Sequence, residues 1–176
     1  MVDGQKILAQ IQQMREGGYM ADAIMREAVK QLKEMDNRYN FVGIYLLNPE
    51  ENMLWLHNYS GEATEHARIK VGVGVCGTAV AEKKNQNVAD VTQVGNYLSC
   101  SPRTKSELVV LIEKAGEIFG QIDIDAKELN AFSAADQQAI EAVAAKIGEI
   151  IVREREQEEE LRRLQQLHEQ RQEQQV

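Results

Sequence analysis

The stretch Val71-Gly72-Val73-Gly74-Val75-Cys76-Gly77 is where the reading of this chain turns. Its glycines remove side chains where the backbone must turn or approach another element closely. The residues after Gly74 continue as a short helix over 75–81, with Cys76 at its start. Downstream, 92–105 lacks hydrophobic periodicity, contains Gly95, Asn96 and Pro102, and carries the second cysteine, Cys100. A loop of that length inside a compact domain is usually functional or disordered. Ser106-Glu107 and the acidic pair Asp123 and Asp125 follow. Both thiols of the chain therefore lie within 71–125 with carboxylates close behind, an arrangement that points to thiol chemistry.

Working outward, residues 40–47 read as a strand from their aromatic and branched content, with Asn48-Pro49 as its stop. Residues 53–57 form its hairpin partner across turn material, and 68–71 form a third strand entering the glycine run. A short strand over 87–91 precedes the long loop. Two buried strands, 107–112 and 118–124, are joined by a hairpin that Gly116 turns. Ahead of them, 6–35 is helical in two pieces separated by Gly17-Gly18, with stripes on Ile7, Ile11 and Met14 and on Ala23, Ile24, Ala28, Val29 and Leu32. Ser133 with Asp136 starts the closing helix in a capping-box-like pattern. This order predicts an α+β domain with a mainly antiparallel sheet of five or six strands. The N- and C-terminal helices pack together on one face.

Composition narrows the function. The 176 residues suit one domain of about 150 residues with an appendage. A net charge of −8 disfavours nucleic acid as the main partner. No apolar run approaches a membrane span and Met1 opens a polar segment, so a cytoplasmic setting is expected. In such a reducing compartment the two cysteines are expected as reduced thiols or a transient redox pair. His57 and His66 read as surface residues, His168 lies in the polar tail, and no ligand spacing suggests a metal.

The chain from about Met20 to Val152 resembles a GAF domain, and more narrowly the free methionine-(R)-sulfoxide reductases. The matching pieces are Phe41-Val-Gly-Ile-Tyr45-Leu-Leu, Val71-Gly-Val-Gly-Val-Cys-Gly-Thr-Ala-Val-Ala81, Asp90-Val91, Cys100 with Ser106-Glu107, and Gly120-Gln-Ile-Asp-Ile-Asp125. The resemblance implies that Cys100 attacks the sulfoxide and that Cys76 forms the disulfide with it. It implies that Glu107, Asp123 and Asp125 hold the ammonium group of the free amino acid and help protonate its oxygen, while Phe41 and Tyr45 wall the methyl group. Ser106 belongs to the same substrate-binding set. No cofactor is implied beyond an external thiol reductant such as thioredoxin. His66 stands where the family usually has a further cysteine, and Phe41 where it has tryptophan. The chemistry fits the residue types, because a thiolate must attack sulfur, a proton must reach the oxygen, and a sulfenic acid needs a second thiol.

Plainer readings exist for the same residues. Cys76 could be an apolar filler; Asp123 and Asp125, alternating with Ile122 and Ile124, could form a solvated face; Glu107 could pair with Lys105 or Arg103. The expected organisation is 1–18 as an N-terminal helical segment, 19–152 as the GAF domain and 153–176 as a polar helical extension. Apolar stripes on Ile7, Ile11 and Met14 and on Val143, Ile147 and Ile150 exceed what one sheet face needs, which predicts a homodimer through terminal helices. The alternative function is a sensory or dimerisation GAF module that binds a small ligand and signals through those helices.

Overall fold

The computed structural model describes residues 3–99 and 101–173. Two helices, α1 (Gly4–Glu16) and α2 (Ala21–Met35), lead into strands β1 (Tyr39–Asn48), β2 (Met53–Gly61) and β3 (Arg68–Lys70). The short helix α3 (Gly74–Glu82) and strand β4 (Gln86–Val88) come next. A single 3-10 turn at Val91–Gln93, strands β5 (Ser106–Lys114) and β6 (Glu117–Ala126), and the long helix α4 (Ala134–Glu173) complete the chain. The six strands form one sheet in the order β3-β2-β1-β6-β5-β4, with every neighbouring pair antiparallel. This is the expected α+β layout, with α1, α2 and α4 packed together on one face of the sheet.

Strand alternation divides the interior in two. One face carries Val42 and Ile44 of β1, Leu108, Val110 and Ile112 of β5, and Ile122 and Ile124 of β6, all buried against the three large helices. The opposite face carries Phe41, Tyr45, Val109 and Leu111, packed with Val75, Cys76, Ala79 and Val80 of α3. Glu107, Asp123 and Asp125 alternate onto this second face and are as buried as its apolar residues.

Local chemistry sets the element ends. Ser133 and Asp136 cap α4 reciprocally: the Ser133 N–H donates to Asp136 Oδ2 at 3.1 Å and the Asp136 N–H to Ser133 Oγ at 3.2 Å. The β5–β6 hairpin turns through Ala115 and Gly116, both at positive φ (53° and 84°), whose twist matches that of the flanking strands. The strand expected over 87–91 ends at Val88, because Asp90 accepts from the Thr92 N–H at 3.0 Å and draws the backbone into the 3-10 turn.

The apolar stripes that suggested a second copy are satisfied within the chain. Ile7 and Ile11 of α1 and Val143, Ile147 and Ile150 of α4 belong to one buried cluster. α1 lies against both α2 and α4, so the helices cover one another as well as the sheet, and these stripes call for no second copy. No helix among the described residues is long and apolar enough to cross a membrane.

Candidate active site

Two glycines of the opening stretch place α3 over the second face. Gly77 lies so close to the strand before it that a Cβ would stand 2.4 Å from the Lys70 carbonyl oxygen. Gly74, at φ +64°, starts the helix in a conformation that side chains resist, and a Cβ there would meet Leu98 Cβ at 2.9 Å. The helix can therefore sit down on β3 while the segment through Leu98 closes over its first turn. Between them lies a cavity of about 10 Å³ whose lining includes Ile69, Val73, Gly74, Cys76, Leu98 and Glu107. It has room for about one water.

Cys76 Sγ, a carboxylate oxygen of Glu107 and one of Asp123 all lie within 4.8 Å of one another, and all three residues are buried. The Cys76 thiol donates to Glu107 Oε1 at 3.8 Å. Glu107 of β5 sits opposite Asp125 of β6 in register, and Val109 opposite Asp123, so the carboxyls form one patch across two strands. Burial pushes Glu107 well above its ordinary range, and the charges of Asp123 and Asp125 push it further. Asp123 is pushed up to about 7 by burial, with Cys76 and Glu107 hydrogen bonding in the other direction. Burial also raises Asp125, reinforced by Asp123 and opposed by a hydrogen bond from Thr104. All three carboxyls are raised, Glu107 with the added push of its two acidic neighbours, so the cluster retains protons well above the ordinary carboxylate range. Asp123 Oδ1 and Asp125 Oδ2 have no hydrogen-bond partner among the described residues, and neither do the two amide atoms of Gln121.

Gln121 was absent from the sequence-based site. It shares the Asp123 face of β6, is fully buried, and pairs in register with Tyr45 and Leu111. Its signal was present in the alternation Gln121, Asp123, Asp125, in which a polar residue at each outward step of a buried strand marks a polar cavity wall. The solvated-face reading of the two aspartates is excluded, since Asp123 and Asp125 are each 1% exposed.

The other candidates separate. Phe41 is buried on the same face, stacked on Tyr59 with centroids 5.6 Å apart. Tyr45 is buried there too, and its hydroxyl donates to the His66 carbonyl at 3.0 Å. Ser106 points away from Glu107 by strand alternation. Its hydroxyl donates to the Glu128 carbonyl at 2.7 Å and accepts from the Ala131 N–H at 3.3 Å, so it ties down the segment after β6 and is not gathered with the carboxyls. Cys100 lies outside the described residues.

The residues flanking that cysteine are tethered. The Ser101 hydroxyl donates to Glu62 Oε2 at 2.7 Å, and Arg103 Nη2 pairs with Glu62 Oε1 at 2.8 Å. His66 Nε2 lies 3.2 Å from the Ser99 carbonyl, and Asn40 Nδ2 donates to Thr104 Oγ1 at 3.0 Å. Arg103 is thus paired with Glu62 and not with Glu107. His57 bridges strand to helix through Asp22 Oδ1 at 2.7 Å.

Residues 21–152 match the family model described as GAF domain. Among curated proteins, the chain is 35% identical over 134 residues to GAF domain-containing protein A of Dictyostelium discoideum, covering 76% of this chain and 83% of that one. It is 36% identical over 115 residues to the free methionine-R-sulfoxide reductase of Saccharomyces cerevisiae, covering 64% of this chain and 63% of the yeast protein. Among solved structures, a type II free methionine-R-sulfoxide reductase from Thermoplasma acidophilum superposes with a TM-score of 0.70 at 36% identity, covering 74% of this chain and 92% of that one.

Proposed function

Because the chain belongs to the GAF domain family and has free methionine-R-sulfoxide reductases among its relatives, we propose that it reduces free L-methionine-(R)-sulfoxide to methionine by thiol chemistry. The observation that carries this reading is the packing of Cys76, Glu107 and Asp123 within 4.8 Å of one another beneath Leu98. The proposed cycle draws on both groups, a raised carboxyl to supply a proton and a buried thiol to close the disulfide.

In the proposed cycle the Cys100 thiolate attacks the sulfoxide sulfur, and Glu107 gives its proton to the oxygen. The oxygen passes to Cys100 as a sulfenic acid and methionine leaves with the sulfur electron pair. The Cys76 thiol then attacks the sulfenic sulfur, water departs, and a Cys76–Cys100 disulfide remains. An external dithiol such as thioredoxin, in a reducing compartment such as the cytoplasm, returns both thiols; no other cofactor enters. The ammonium group of the substrate answers the electrostatic problem of the buried carboxyls, since a cation beside Asp123 and Asp125 favours their ionised forms and leaves Glu107 its proton. Asp123 Oδ1 and Asp125 Oδ2 are acceptors available to its N–H groups. Phe41 and Tyr45 offer the apolar wall for the methyl group. A cavity of about 10 Å³ is far smaller than any amino acid, so the segment through Leu98 withdraws from Gly74 to admit substrate.

The test is methionine release from free L-methionine-(R)-sulfoxide with dithiothreitol or thioredoxin. Wild type turns over and Cys100→Ser does not. Cys76→Ser gives one stoichiometric release with thioredoxin and then stops, because the sulfenic acid lacks its internal partner. Asp125→Asn mainly weakens use of the free amino acid, whereas Glu107→Gln, which removes the proton donor, slows methionine release itself. A folded wild-type protein that releases no methionine even in its first turnover would rule out the reductase and favour a ligand-sensing module. A homodimer through the terminal helices now rests on the exposed Leu161, Leu164 and Leu167 of α4, and sedimentation at high micromolar concentration tests it.

A further inference from the structure

The same cluster that binds the reaction's proton has the donor set of a transition-metal site. Cys76 Sγ, Glu107 and Asp123 come from three elements (α3, β5 and β6), and their ligand atoms lie within 4.8 Å of one another, with Sγ 3.8 Å from Glu107 Oε1. Tetrahedral zinc with one thiolate at about 2.3 Å and two carboxylate oxygens at about 2.1 Å sets its ligand atoms roughly 3.5 Å apart.

A second observation points to a ligand. Asp123 is 1% exposed, yet its Oδ1 has no hydrogen-bond partner among the described residues. On either side of it along the same strand face, Gln121 and Asp125 also present unpartnered buried atoms, Oε1 and Nε2 of the first and Oδ2 of the second. Unpartnered polar atoms on three alternate residues of one buried strand face, beside a thiol, cost stability unless protons or a bound ligand satisfy them. One thiolate and two carboxylates exclude calcium and magnesium, which take oxygen donors, and favour a borderline cation.

We propose that Cys76, Glu107 and Asp123 bind Zn2+ with one coordination position left for water, with Gln121 and Asp125 flanking the site along the same face of β6. Binding displaces the protons of the thiol and the carboxyls and occupies the space the substrate ammonium would take. Zn2+ is therefore a reversible inhibitor that competes with the sulfoxide. The inhibition rests on the reductase reading; the binding does not.

The experiment is a titration of the full, reduced chain with Co2+ as a spectroscopic stand-in, followed by displacement with Zn2+. A thiolate-to-cobalt charge-transfer band with tetrahedral visible bands is expected. It persists in Cys100→Ser and disappears in Cys76→Ser. In Asp123→Asn and in Glu107→Gln, Co2+ affinity falls by more than the ~10–100-fold that loss of an outer-shell partner costs. Circular dichroism follows the fold of each variant, and if Cys76→Ser does not fold, the two carboxyl variants decide. A spectrum without the band, or a band that depends on Cys100 and not on Cys76, overturns the site. Turnover that ignores Zn2+ while the band is present overturns the inhibition alone. A band in a protein that shows no turnover leaves the site standing and removes the reductase.

Discussion

At the scale of the residue, three carboxyls share a space from which water is largely excluded, and each charge there raises the cost of the next. Folded Asp123 holds its proton up to about 7, against an ordinary aspartate value of 3.8. Below the ordinary value both folded and unfolded chains bind this proton, so the contribution of the group to stability is fully present. As pH rises toward the folded value the unfolded chain releases its proton first and the fold loses stability; above it the slope from Asp123 vanishes. Glu107 and Asp125, also raised, extend the loss upward. Each carboxyl contributes at most about 1.4 kcal/mol per pH unit. Urea unfolding is therefore expected to give a falling stability from about pH 5 to about pH 7.5, and Asp123→Asn to flatten the lower part of that fall. Asp22 and Asp36, held low by hydrogen bonds from Arg26 and Arg38, lose their contribution only in acid and leave this window clear. A wild-type curve that rises across the window would mean that the cluster is ionised in the folded chain.

At the scale of the element, the segment between the 3-10 turn and β5 owes its course to the end of β2. Glu62 follows Gly61 and holds both the Ser101 hydroxyl and the Arg103 guanidinium. This has a chemical side, because Arg103, close to Cys100 in sequence, has much of its charge compensated by Glu62 and gives a thiolate less help than its position suggests. Glu62 is mostly covered and Arg103 mostly exposed, so the pair contributes no more than about 1 kcal/mol. Glu62→Gln is expected to speed amide hydrogen exchange in 99–105 about fivefold while leaving global stability nearly unchanged. It should also lower the pH at which Cys100 becomes reactive to iodoacetamide, since Arg103 is then uncompensated. Unchanged exchange in that segment would assign the tether to His66 and Asn40 instead.

At the scale of the molecule, α4 is one unbroken helix that changes surroundings along its length. Its first turns are buried, and beyond Val152 the chain becomes polar, yet contact with the rest of the fold continues. Glu154 Oε1 accepts the Ala21 N–H at the start of α2 at 2.6 Å and pairs with Arg15, Arg155 pairs with Glu117 at 2.7 Å, and Gln157 accepts from Arg15. Glu154 thus caps another helix with a charge of the favourable sign. Truncation after Gln157 spares these contacts and is expected to leave the melting temperature unchanged at concentrations where the chain is a monomer. Truncation after Val152 removes the cap, costs about 1 kcal/mol, and lowers the melting temperature by roughly 2–4 °C. Equal melting temperatures for the two truncations would show that the Glu154 contact carries no weight.

Much of this was written in local pattern. The alternation of Ile122 and Ile124 with Asp123 and Asp125 sorted β6 into two faces, Gly116 turned the hairpin, Ser133 and Asp136 started α4, and the glycines around Cys76 announced a close approach. Such features depend on dihedral preference and side-chain period, which neighbours in sequence settle between themselves. What lies over each face was not legible, because burial is decided by elements far apart in the chain. The same alternation describes a solvated edge and a polar cavity wall, and it took α3 and Leu98 lying over the sheet to make it the second. Likewise the stripes on α1 and α4 said only that each needs a partner, and folding made them partners of each other. Cys76, Glu107 and Asp123 have no ligand spacing along the sequence; antiparallel register and the seating of α3 on Lys70 bring their donor atoms together.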